Sequence, residues 1–110
     1  MILVSSQTEE ELRKISYLRA PHEAVGLILP DGSVVELPNH SDKPESNFVA
    51  SRADMMQHLT PEIDLEEVAL WHSHPGGGVG PSRTDMRSKT PFRHHLVVSI
   101  VNEDLVLSWY

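Results

Sequence analysis

The chain has no cysteine, which excludes disulfides, thiolate metal sites and cysteine nucleophiles together and leaves any metal chemistry to histidines and carboxylates. It therefore lacks the Pro-Cys-x-x-Cys element that nucleobase deaminases pair with a His-x-Glu element. The helical His-Glu-x-x-His motif of many zinc proteases is also missing. Basic residues are scarce: nine Lys and Arg against sixteen Asp and Glu leave a formal charge of −7, with no electrostatic case for binding nucleic acid or an anionic membrane. No apolar run approaches the roughly 20 residues that span a bilayer. Met1-Ile2-Leu3-Val4 lacks the basic start and small-residue cleavage site of a secretory signal, so a cytoplasmic location is expected. With 110 residues, one domain over 1–110 with one hydrophobic core is expected.

What the chain does have is concentrated between Trp71 and Asp85: Trp-His-Ser-His-Pro-Gly-Gly-Gly-Val-Gly-Pro-Ser-Arg-Thr-Asp. His72 and His74 follow the apolar run Val68-Ala69-Leu70-Trp71. If that run is a strand, its alternation points both imidazoles to one face and Ser73 to the other. Pro75 and the glycines at 76, 77, 78 and 80 end the strand and let the chain turn, after which Ser82 opens a short helix with Asp85 in its first turn. Two imidazoles and a carboxylate then converge, a set that suits a catalytic divalent cation, zinc above all, because three protein ligands leave a fourth position for water. His-x-His alone is often just a polar strand end, and Ser82-x-x-Asp85 also fits a capping box, which is compatible with ligation.

His-Ser-His, seven residues, then Ser-x-x-Asp resembles the signature of the JAMM (MPN+) metalloprotease family, matched here without a gap. That family's further element is a glutamate on an early strand, and Glu23, in Pro21-His22-Glu23-Ala24-Val25-Gly26-Leu27-Ile28-Leu29, stands where the pattern wants it. The resemblance spans nearly the whole chain, and Asn39, Pro44 and Phe48 extend it toward the prokaryotic and phage tail-associated branch. It implies an α/β fold, a curled mixed sheet of about six strands flanked by two or three helices, as in the cytidine-deaminase-like JAMM domains.

It also implies a zinc-dependent peptidase or isopeptidase, with zinc on His72, His74 and Asp85, Glu23 as general base and Ser82 bonding the oxyanion. The implied partners are a peptide or protein substrate: a ubiquitin-like or sulfur-carrier tail, a phage tail protein or a cell-wall peptide, the last two placing the protein on a phage particle. A non-catalytic scaffold subunit of a tail or other assembly is the alternative. Such members typically lose motif ligands, and this chain keeps all five residues.

Read in order, Ile2 to Ser5 makes a short first strand, and Thr8 with Glu11 caps a helix that carries Leu12, Ile15 and Leu18 and stops at about Ala20, before Pro21. Glu23–Leu29 and Val34–Leu37 form a hairpin around Pro30-Asp31-Gly32-Ser33. Residues 39–47 are a polar loop beside the site, and Ser51 with Asp54 starts a helix running to before Pro61. Glu62–Glu67 is a solvated acidic connection, and Thr84 to about Lys89 is the short helix after the motif. His94–Val101 and Leu105–Trp109 form a second hairpin. His22, His40, His58, His94 and His95 read as surface or partly buried histidines, and Trp71 as core.

Overall fold

A computed structural model describes residues 2, 4–87 and 90–110. Helix α1 (Ser6–Arg19) is capped three residues earlier than the sequence suggests, at Ser5 and not at Thr8: Ser5 accepts the Thr8 N–H, and the buried Thr8 hydroxyl instead donates to Gly32 O, tying the helix to the β-hairpin turn. Leu12 is buried and Ile15 packs on the core, but Leu18 is 66% exposed, beyond the apolar stripe. Of the first strand expected over Ile2–Ser5, Leu3 lies outside the described residues; Ile2 and Val4 pack against the core, and Ser5 is spent on the cap.

The strands are β1 (Val25–Ile28), β2 (Val34–Leu37), β3 (Ala69–His74), β4 (His94–Val101) and β5 (Asp104–Trp109), five among the described residues where about six were expected. They form one mixed sheet in the order β2-β1-β3-β4-β5. Two local hairpins supply its halves: β1 with β2, and β4 with β5 through Asn102 and Glu103, both at positive φ, as a tight two-residue turn requires. β3 joins the halves, antiparallel to β1 and parallel to β4. The parallel pairing needs a crossover, and the connection from 75 to 93 provides it, carrying α3 (Arg83–Arg87) on the way. Of the helix expected to about Lys89, Ser88 and Lys89 lie outside the described residues.

Alternation along the strands divides the core into two. On one face, Ala24, Ile28, Ala69, Trp71, Leu96 and Val98 pack with Leu12 of α1. On the other, Val25, Leu27, Leu37, Leu70, Val68 and Phe92 are covered by Phe48, Met55, Leu59 and Ile63 from the long connection between β2 and β3. Helix α2 (Arg52–Met56), capped by Ser51 as expected, is shorter than the sequence suggested and ends well before Pro61. Gly26 lets Trp71 lie flat across β1: a Cβ there would meet Val35 O at 1.9 Å and the indole Nε1 at 2.7 Å. Among the described residues no helix is long and apolar enough to cross a membrane.

Candidate metal centre

His72 and His74 share one face of β3 because they are two residues apart on a strand. His72 is flanked by Val25 of β1 and Val97 of β4, and the Phe48 ring stacks on its imidazole at a centroid distance of 4.4 Å. Only 1% of its side chain is exposed against 13% for His74, so the cluster opens on the His74 side. Ser73 points to the opposite face, where its hydroxyl accepts the Ala24 N–H at 2.8 Å while its own N–H donates to Ala24 O. That double tie fixes the chain directly after Glu23.

Glu23 is held by its backbone as well. Its N–H donates to Pro44 O at 2.6 Å, and its carbonyl accepts from Asn39 Nδ2 at 2.9 Å. The polar loop over 39–47 thus lies beside the site, as expected. The Glu23 side chain is buried, and its Oε1 has no hydrogen-bond partner among the described residues. A buried carboxylate oxygen without a partner is costly in water-free surroundings. Burial, reinforced by the charge of Asp85, pushes its pKa up from 4.5 to about 7.

Asp85 arrives on α3 through a capping box: Asp85 N–H donates to Ser82 Oγ at 3.0 Å, and Ser82 N–H donates back to Asp85 Oδ2 at 2.8 Å. The same Oδ2 lies 3.0 Å from His72 Nε2 and 3.2 Å from His74 Nε2, and the two imidazole nitrogens are 3.2 Å apart. Burial raises the Asp85 carboxyl, but the hydrogen bonds from His72 and from the Ser82 backbone outweigh it and hold the group well below the usual carboxylate range. Burial also lowers His72, against the opposing pull of Asp85.

Glu23, His72 and His74 each present a ligand atom, all within 4.8 Å of one another, so that this group can hold a metal ion. The structure brings together Glu23, His72, His74, Ser82 and Asp85 from three separate stretches of chain. The family model of prokaryotic homologues of the JAB domain matches residues 5–110. The chain belongs to this JAB-domain family. The solution structure of protein DSY2949 from Desulfitobacterium hafniense superposes with a TM-score of 0.79 at 24% identity, over 99% of this chain and 82% of that one, which shows the shared fold. Comparison with curated proteins gives no significant match.

Around this JAB centre the structure adds groups that the motif does not contain. His74 Nδ1 lies 3.1 Å from Gly78 O, and the Ser99 hydroxyl of β4 donates to that same oxygen at 2.6 Å. Behind His72, Tyr110 presents its ring edge-on at 6.4 Å and stacks on His95, whose Nε2 meets Thr90 Oγ1 at 2.7 Å. Ser99 was visible in the sequence as a polar break in the apolar run Leu96-Val97-Val98-Ser99-Ile100-Val101. The stacking of Phe48, His95 and Tyr110 had no such signal, because it depends on which loops and strand ends meet.

Proposed function

We propose that the chain is a zinc-dependent peptidase or isopeptidase. The observation that carries this reading is the triangle of His72 Nε2, His74 Nε2 and Asp85 Oδ2, whose sides are 3.2, 3.0 and 3.2 Å. Nitrogen and oxygen ligands about 2.0–2.1 Å from a tetrahedral zinc stand about 3.3 Å apart, so the three atoms have the spacing that ion needs. Hydrogen bonding supports the same assignment. With His74 Nδ1–H donating to Gly78 O, the Nε2 lone pair of the neutral ring faces a carboxylate oxygen at 3.2 Å, and two acceptors at that distance repel unless a cation lies between them.

Zinc bound there supplies a Lewis acid and a water that ionises near neutral pH. In this reading Asp85 ligates and Glu23, the second carboxylate within reach of both imidazoles, is the general base. It takes a proton as water adds to an amide carbonyl and returns it to the departing amine, and its burial beside both imidazoles places the carboxyl where it can do both. Ser82 Oγ accepts the Asp85 N–H, which sets the hydroxyl beside the ligand, and its hydrogen donates to the oxyanion. In this reading the substrate is a peptide segment of a protein, and Val79 on the glycine loop and Met86 on α3, three and four residues from Ser82 in sequence, leave apolar side chains exposed for it to meet. A ubiquitin-like or sulfur-carrier tail ending in Gly-Gly fits that description, as does a phage tail or cell-wall peptide.

The decisive experiment is Glu23→Gln in the zinc-loaded protein, assayed on a panel of those peptide and isopeptide substrates. Zinc content should stay at one per chain while hydrolysis falls by two or more orders of magnitude, about what loss of a positioned acid-base group costs. A Gln variant that keeps both zinc and the wild-type rate removes Glu23 from the mechanism. A zinc-loaded wild type that is inert across the panel favours the scaffold role.

A further inference from the structure

Neutral histidine prefers to carry its proton on Nε2, the atom that His74 must keep free if it is a ligand, so the metal site requires something that enforces the less favoured tautomer. Gly78 O does so by accepting from Nδ1 at 3.1 Å. Yet Gly78 sits in a run of glycines, Gly76-Gly77-Gly78, whose backbone is the freest in the chain and loses the most entropy on being fixed. A carbonyl on such a loop orients nothing unless it is itself held.

Ser99 holds it. The residue lies directly across from His74 in the β3–β4 register, is fully buried, and sends its hydroxyl to Gly78 O at 2.6 Å, twenty-one residues away in sequence. A second tie, from Gly77 N–H to His74 O at 3.2 Å, closes the turn between strand and loop. We propose that Ser99 is a positioning residue for metal binding: its hydroxyl fixes the Gly78 carbonyl against the sheet, so that the carbonyl accepts a hydrogen bond from Nδ1–H of His74 and leaves Nε2 as the ligand. This rests on the assignment of His74 as a ligand, made above. Ser99 touches no metal-binding atom itself, and its effect passes through one carbonyl oxygen that it shares with His74.

The test uses the metal-free full chain and two readouts that do not depend on hydrolysis: the His74 tautomer from imidazole nitrogen–proton NMR correlations, and the zinc Kd from competition with a chromophoric chelator. Wild type should show Nδ1–H at His74. Ser99→Ala should shift His74 toward Nε2–H and weaken zinc binding roughly 10–100-fold, the usual cost of losing a group that orients a ligand. Ser99→Thr, which keeps the hydroxyl on a strand that favours β-branched residues, should restore both. If the Ala variant does not fold, Ser99→Cys, close in volume and a weaker donor, should fall between wild type and full loss. The proposal is overturned if wild-type His74 carries its proton on Nε2, or if the Ala or Cys variant keeps the wild-type tautomer and zinc Kd, even with a lowered melting temperature. Failure of wild type to take up zinc at all brings down the ligand assignment, and this proposal with it. Normal uptake that is indifferent to residue 99 brings down this proposal alone.

Discussion

Residues 69–74 serve two regions with opposite physical requirements. Ala69 and Trp71 turn to the α1 side and join an apolar cluster whose burial is favourable without any ligand, even though Trp71 Nε1 has no hydrogen-bond partner among the described residues. Leu70 turns the other way into the second apolar cluster, but His72 and His74, further along the same face, meet Asp85 and Glu23. Burying those four groups costs free energy, part of which the hydrogen bonds of Asp85 offset and more of which a bound cation would offset. The first face should therefore be intolerant of shape changes and indifferent to metal, and the second tolerant of small changes in its loop but sensitive to metal.

The largest effects should come from removing a ligand. His72→Ala or Asp85→Ala is expected to lose most of the zinc and all measurable hydrolysis, which elemental analysis and the peptide assay would show. Because an ion held by His72, His74 and Asp85 would tie β3 to α3, chelator should lower the melting temperature of wild type but barely move that of either variant. A wild type whose melting temperature ignores chelator would mean that these residues hold no bound metal.

Next in size is the apolar face. Gly26→Ala places a methyl where Val35 O and the Trp71 indole already are, and backbone cannot give way cheaply, so a loss of about 3 kcal/mol or outright failure to fold is expected. Gly76→Ala, with nothing within 4 Å of the new methyl, should stay within roughly 0.5 kcal/mol of wild type in a denaturant titration. Equal losses at the two positions would contradict the division of the strand into a rigid face and a forgiving loop.

Much of this was legible before any coordinates. The His-x-His spacing and Ser-x-x-Asp both act through local geometry, a strand's alternation and a helix cap, and local geometry is what sequence encodes most directly. Both hairpins were readable for the same reason, from turn residues between apolar runs. Glu23 was placed only by resemblance, since nothing local says that a residue about fifty positions upstream will sit beside His72; the pairing of β1 with β3 decides it. The start of α1 was misjudged because Ser5 and Thr8 are both good caps, and the tertiary bond from Thr8 to Gly32 selected between them. Leu18 fits the helical spacing but stays mostly exposed, and α2 stops early because Leu59 is carried into the core by loop and not by helix.

The smallest effect expected is also the most specific to the polar face, and it concerns pH. In the metal-free protein Glu23 has a pKa of about 7 against 4.5 for an ordinary glutamate, so between those values the folded chain binds a proton that the unfolded chain has released. The Glu23 contribution to stability is thus fully present below about pH 4.5 and is lost as pH rises through 7. His72 and His95, both lowered by burial, act in the opposite sense: the unfolded chain holds more protons than the folded one as pH falls below 6.5, so their contribution improves as pH rises to that value. Asp85, held low, contributes a constant over this window. A wild-type curve alone therefore mixes opposing trends, but its difference from Glu23→Gln isolates the carboxyl. With chelator present, the melting temperature of wild type relative to the Gln variant should decline between pH 4.5 and 7. The decline should be a few degrees, given that 1 kcal/mol moves a domain of about this size by roughly 4–8 °C and that solvent on the His74 side screens part of the effect. Saturating zinc should flatten the difference, because a cation beside Glu23 favours its charged form at every pH in the window. Parallel curves for the two proteins without metal would mean that Glu23 is hydrated and ordinary, and would leave the polar face without its buried base.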